Sequence, residues 1–216
     1  MIEDRIIKEY NKAFNRYGED RRSILWTKDK QDMRFQILLG EELKKSRMSI
    51  LDYGAGFADL NFFLKKQFYN LDYHGCDINK KFVEISQKRF PNADIFHINH
   101  VDDVKDHFDI ILISGTFNVL CLNNQENMEN YVFYHLCKLF SKTNYMLSVN
   151  FLSHLTDYNY KYKEHFYIDP TRLYEFAIKE MTHRIQIDSY SLPYELTFKF
   201  YKNTSIDYSM TTYKED

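Results

Sequence analysis

The chain has 216 residues, with 29 Lys and Arg against 31 Asp and Glu, a formal net charge of −2. That balance argues against a protein that grips nucleic acid through bulk charge, because phosphate neutralisation needs a clustered basic excess. With 44% hydrophobic residues and only 6 Gly and 3 Pro, the chain can bury one sizeable core and is neither disordered nor collagen-like.

Residues 2–17 read as an amphipathic helix in which Ile2, Ile6, Ile7, Tyr10 and Phe14 recur at helical spacing, stopped by Gly18. A second helix is predicted from about Thr27, carrying Met33, Phe35, Ile37, Leu38 and Leu39. Residues 1–46 thus form a helical cap. From residue 47 the pattern becomes strand, turn, helix, repeated. SILDY, LDYHGCD, ADIFHIN, FDIILIS and YMLSVNFL are the strands; helices are predicted over Leu60–Phe68, Lys80–Phe90 and Met128–Phe140. This alternation predicts a parallel α/β sheet covered on both faces. A helix over Thr171–Glu180 then leads to RIQIDSY and, after SLP, to an alternating YELTFKFYK. Two strands joined by so short a turn must be antiparallel. The core therefore ends near residue 202, and 203–216 is a polar tail. The whole is expected to be one domain.

No apolar run approaches the ~20 residues needed to cross a bilayer, and MIEDRIIKEY is too charged for a signal sequence. A cytoplasmic protein without a membrane span is expected. Cys76, Cys121 and Cys137 form neither an even framework nor a Cys-x-x-Cys pair. They read as buried thiols in a reducing compartment, and no metal site is expected.

The strongest chemical signal is Asp52-Tyr53-Gly54-Ala55-Gly56, where the first strand passes into a helix. Glycines there let the backbone turn tightly and approach a ligand, while helix N–H groups face the same crevice. Asp77 ends the second strand, beside that turn, where a carboxylate can accept both hydroxyls of a ribose; it is equally able to cap the next helix. An adenosine-containing ligand follows. The dinucleotide fingerprint G-x-G-x-x-G fails, because Asp59 stands at the third glycine.

With D-x-G-x-G in place of that fingerprint, and a terminal hairpin, residues 48–202 resemble the class I S-adenosylmethionine-dependent methyltransferases. The resemblance implies a Rossmann-like three-layer sandwich with a seven-stranded, mostly parallel sheet of order 3-2-1-4-5-7-6 and an antiparallel last strand. It implies S-adenosyl-L-methionine as cofactor and S-adenosyl-L-homocysteine as product. Asp52, Gly54, Ala55 and Gly56 would hold the methionine part, and Asp77 with Ile78 the ribose and one adenine face. His100 stands where an adenine-binding acid is usual, with Asn99 or a backbone carbonyl as replacement. Ser114, Gly115 and Thr116 match the segment lining the sulfonium. A narrower likeness to small stand-alone bacterial methyltransferases places Trp26 and Arg34 in a cap folded over the cofactor, with Arg34 or Gln31 reaching the methionine carboxylate.

Methyl transfer is an in-line displacement, so positioning supplies much of the catalysis, and a base helps if the acceptor is a hydroxyl. His154 is the first choice of base, because a histidine titrates near neutrality; Asn118 and Tyr194 are further candidates at the same sheet edge. The aromatic stretch 158–167 is a candidate lid. After the fourth strand the chain reads S-G-T-F, unlike the D-P-P-Y or N-P-P-Y of amino-methylating DNA enzymes. Small-molecule or glycan-precursor acceptors remain, and the resemblance leans towards O-methylation in surface-polysaccharide pathways. The rivals are an NAD-dependent oxidoreductase, favoured by the strand, glycine turn and acid, and a non-catalytic partner that keeps the cofactor pocket.

Overall fold

The computed structural model describes residues 2–24, 30–40, 43, 47–122 and 124–202. Helix α1 (Ile2–Tyr17) ends at Gly18, which adopts φ +64°. After a short 3-10 turn, α2 (Gln31–Leu39) follows. It starts later than the hydroxyl of Thr27 suggested; Trp26, Thr27 and the tail 203–216 lie outside the described residues.

The strands β1 (Ser49–Tyr53), β2 (Asp72–Asp77), β3 (Asp94–His97), β4 (Phe108–Ile113) and β5 (Thr143–Ser153) are parallel neighbours, interleaved with α3 (Asp59–Lys66), α4 (Lys80–Arg89) and α5 (Gln125–Ser141). Helix α5 begins three residues before the predicted Met128, because the Asn124 side chain accepts from Asn127 N at 2.8 Å and caps it there. The chain then makes β6 (Tyr167–Ile168), α6 (Pro170–Glu180), β7 (Ile185–Asp188) and β8 (Glu195–Tyr201). Asp169 caps α6 and Pro170 opens it, where a missing N–H costs nothing.

Strand β8 runs antiparallel between β5 and β7, so the order is β3-β2-β1-β4-β5-β8-β7. This is the expected methyltransferase order once β6 is set aside. The sheet nonetheless has eight strands, not seven: β6 adds two residues in parallel beside the end of β5. Strand β8 departs from its alternating pattern too. Leu196 to Phe200 are all buried, because it is an inner strand covered on both faces.

Alternate residues of the inner strands feed two cores. Ile50, Ile110, Leu112 and Met146 pack with Leu38 and Leu39 of α2, Phe63 and Leu64 of α3 and Val83 of α4. Leu51, Ile111, Ile113 and Leu147 pack with Val132, Leu136 and Leu139 of α5 and Leu173 and Ala177 of α6. Strand β1 lies between β2 and β4, where the direction of strand order reverses. In an open α/β sheet the crevice beyond such a point is where a ligand fits.

Candidate functional site

A crevice opens there, floored by the ends of β1, β2 and β4 and roofed by the N-terminal segment. Of the roof, Ile6, Ile7 and Tyr10 of α1, Ile24, and Gln31 and Phe35 of α2 line it. The amphipathic pattern of α1 is thus explained by a cleft rather than by the main core.

The glycine turn forms the floor. Gly54 N and Ala55 N both donate to Cys76 O at 2.9 Å, which ties the turn to the end of β2. Gly54 sits at φ +78°, and a Cβ there would fall 2.4 Å from Thr116 Oγ1. Gly56, at φ +54°, would bring one to 3.2 Å from Ile24. Both conformations favour glycine. Asp77 is buried, and its two oxygens accept from Gly56 N at 2.9 Å and Asn79 N at 2.7 Å. Burial raises its pKa, and those two main-chain donors oppose the rise. Capping of α4 falls to Asn79, whose side chain accepts from Lys81 N at 3.1 Å. Asp77 is thereby left aimed at the crevice.

Asp52 is buried one strand away, with the Tyr73 hydroxyl donating to its Oδ2 at 3.0 Å. Burial pushes its pKa up to about 7, against the pull of that bond. Gly75 makes room for Tyr73: a Cβ there would meet the hydroxyl at 2.7 Å. Ala55, Ile78, Ser114, Gly115 and Thr116 also line the crevice, as the sequence led one to expect of their positions. Thr116 Oγ1 donates to Tyr53 O at 3.0 Å, and Asn150 Oδ1 accepts from Gly115 N at 2.7 Å. Ser114 Oγ is buried without a hydrogen-bond partner among the described residues.

Several expected positions fall elsewhere. Arg34 does not line the crevice; its guanidinium is buried in a two-pronged ion pair with Glu195 on β8, Nε lying 2.7 Å from Oε2. Gln31, the other residue proposed for that role, does line it. Asn99 and His100 are drawn into the turn after β3. Asp103 Oδ2 accepts from both their N–H groups, and the His100 ring caps Asp102 N, so neither side chain lines the crevice; Ile98 does. His154 lies exposed beyond β5, its N donating to Ile168 O at 2.9 Å and its ring 3.9 Å from Asp169, outside the crevice lining. The reason is β6, which claims the chain just after β5 and turns His154 outward. Tyr194 is also outside the lining, in a left-handed conformation at φ +70° with its ring stacked on Tyr160 at 5.3 Å. Asn118 belongs to the lining loop between Phe117 and Val119, without itself lining the crevice, and its Oδ1 is buried with no donor among the described residues.

Sequence reasoning missed Ile6, Ile7, Tyr10 and Tyr131 as lining residues, and Asp59, which lines the crevice while ion-paired to Arg89 at 2.6 Å. The apolar periodicity of α1 was the available signal for the first three. Among the described lining residues there is no histidine and no lysine.

Residues 51–138 match a family model described as a methyltransferase domain. No curated protein matches the sequence. The fold is similar to the Synechocystis magnesium protoporphyrin IX methyltransferase with bound S-adenosylhomocysteine, at 13% identity and TM-score 0.61 over 91% of this chain and 98% of that one. It is also similar to an S-adenosylmethionine-dependent methyltransferase from Clostridium acetobutylicum, at 10% identity and TM-score 0.60, covering 89% and 98% of the two chains. An O-methyltransferase family protein from Burkholderia thailandensis matches at 7% identity and TM-score 0.60, over 80% of this chain and 56% of the other.

Proposed function

We propose that this chain, whose residues 51–138 match a methyltransferase domain and whose fold is that of S-adenosylmethionine-dependent methyltransferases, is itself one and O-methylates a small hydroxylated acceptor, a sugar or surface-polysaccharide precursor, in the cytoplasm. The observation that carries the site assignment is Asp77. Its carboxylate is buried at the end of β2 with both oxygens already oriented by main-chain N–H groups, beside the Gly54–Gly56 turn. Such a group pre-pays the ordering needed to receive two ribose hydroxyls.

The residues fit the cofactor. At Gly54 a Cβ would meet Thr116 Oγ1 at 2.4 Å, so the turn and the Thr116 wall of the crevice can close together only on a glycine. Ser114 Oγ supplies a buried polar atom still in need of a partner. Asp52 supplies a carboxylate for an amino group, Gln31 an amide for the carboxylate next to it, and Ile78 and Ile98 apolar faces for the adenine. When bound, the cofactor supplies an electrophilic methyl group. The chain's own part is to hold the ends, orient them and exclude water. Phe117, Val119, Met128, Tyr10 and Tyr131 give the crevice its apolar walls. With no histidine among the described lining residues, rate comes chiefly from positioning. None of Asn118, His154 and Tyr194 lines the crevice; Asn118, between the lining residues Phe117 and Val119, is the one that a small movement of that loop would bring to the acceptor hydroxyl. A sugar is favoured by the exposed Tyr158, Tyr160 and Tyr162 on the segment that pairs with the lining loop through Val119 and His165.

Calorimetric titration with S-adenosylhomocysteine and with NAD tests the cofactor assignment, and turnover across a panel of hydroxylated sugars tests the acceptor. Tight homocysteine-product binding, weakened in Asp77→Ala, together with methylation of a sugar hydroxyl, is the expected result. NAD binding without a response to the product would overturn the site assignment. Methylation confined to amines would overturn the acceptor class.

A further inference from the structure

Beside the crevice, but not lining it, three side chains from separate segments converge: Glu3 on α1, His100 in the turn after β3 and His135 on α5. One ligand atom from each lies within 4.8 Å of the others. We propose that these residues form a binding site for a divalent transition metal of the zinc class, which fastens the N-terminal helix to the core.

The orientation of both imidazoles supports this. His135 is buried, and its Nδ1 lies 2.8 Å from the Tyr131 carbonyl, to which it donates. That bond fixes the tautomer and leaves a lone pair on Nε2, where no hydrogen bond arrives from the described residues. His100 Nε2 faces Glu3 at 3.7 Å; its Nδ1 accepts from Asp102 N at 3.3 Å and lies 3.1 Å from Asp102 Oδ2, so a ring that gives its Nε2 lone pair to an ion would carry its proton on Nδ1 and turn it to that carboxylate. Metal-binding histidines are held in this way, one ring nitrogen on a carbonyl or carboxylate and the other on the ion.

The third donor is a carboxylate. Glu3 is buried as a residue, and His100 Nε2 lies 3.7 Å from its Oε1, beyond hydrogen-bond reach. A carboxylate beside two imidazoles on separate elements offers a cation a third donor. Donor atoms around one tetrahedral zinc ion stand ~3.3 Å apart at metal–ligand distances of ~2.1 Å. Side-chain movement that shortens the widest separation by up to about 1.5 Å therefore closes the set. Two imidazoles and a carboxylate suit zinc, cobalt, nickel or iron(II), and leave a further coordination position for water. Nothing in sequence spacing announces the site, since positions 3, 100 and 135 lie on three elements; the cysteine pattern was the wrong place to look. The ion would hold the start of α1, whose Ile6, Ile7 and Tyr10 roof the crevice.

Chelator-stripped full-length protein, without cofactor, is titrated with zinc chloride in a calorimeter and melted with and without the metal. The expected result is one zinc per chain and a raised Tm. Glu3→Gln and His100→Ala should each weaken zinc by at least about 10–100-fold, the loss typical of removing even an outer-shell partner of a metal site. Removal of the exposed His183 by His183→Ala should change nothing. Glu3→Gln is nearly isosteric and its fold is verified by circular dichroism, whereas His135→Ala empties a buried position. No zinc uptake by the wild type, or uptake unaltered in both folded variants, overturns the proposal. Neither outcome bears on cofactor binding at Asp77.

Discussion

The floor and the roof of the crevice are built in different ways. On the floor the backbone meets the ligand: Gly54 and Gly56 hold left-handed conformations and Asp77 is oriented by main-chain donors. The roof consists of side chains on α1 and α2, tied down at a few points such as the Arg34–Glu195 pair. A floor of this kind fails when one carbon is added, whereas the roof can be loosened while the floor stands.

The sharpest break is Gly54→Val. A β-branched residue at φ +78° costs about 1–2 kcal/mol in backbone strain alone, and its Cβ would collide with Thr116. Calorimetry should detect no S-adenosylhomocysteine binding; retained binding would show that Thr116 yields and that the floor is not rigid. Next comes the roof. Glu195→Ala strips Arg34 of its buried carboxylate and should cost about 3–5 kcal/mol in urea unfolding, with Glu195→Gln less damaging. Equal stability of Glu195→Ala and wild type would remove this tie from the account. Asp77→Ala should weaken product binding by about 1–3 kcal/mol; wild-type affinity would place the ribose elsewhere.

A smaller effect is a pH dependence. Burial holds Asp52 at about 7 in the folded state, above the 3.8 of a free carboxyl. The folded protein therefore retains a proton that the unfolded chain releases. The resulting stability is complete below about pH 4 and is lost as pH rises through about 7. Asp52→Asn should flatten that slope in denaturant titrations. Tyr73→Phe, which deletes the bond that holds the pKa down, should move the midpoint upward. Binding of an amino-bearing ligand should strengthen over the same interval in the wild type and not in Asp52→Asn. The smallest effect is expected of His154→Ala, which should leave turnover unchanged; a large fall with cofactor affinity intact would restore its role as base.

Most of the floor was legible because it is local. A strand, two glycines and an acid occupy consecutive positions, and Asp77 follows by one strand–helix–strand unit, whose right-handed crossover leaves little freedom. The terminal hairpin was legible for the same reason, a turn too short for a parallel return. The failures share a cause as well. His100 and Asn99 were assigned by analogy of position, but the acid at 103 captured both in a capped turn. Arg34 was assigned by the narrower likeness of its segment, but its partner Glu195 lies 161 residues away. His154 was displaced by β6, two residues long and without a hydrophobic pattern of its own.

From its order of residues alone, this chain determined the alternation of strands and helices, the reversal point of the sheet and the backbone cradle with its two carboxylates. Periodicity and glycine conformation act over a few residues and need no distant partner. Tertiary structure alone decided which helix roofs the crevice, which arginine is consumed in an ion pair and which histidines meet Glu3. Those outcomes depend on which desolvated charge finds which counter-charge across the fold, a choice that no local pattern encodes.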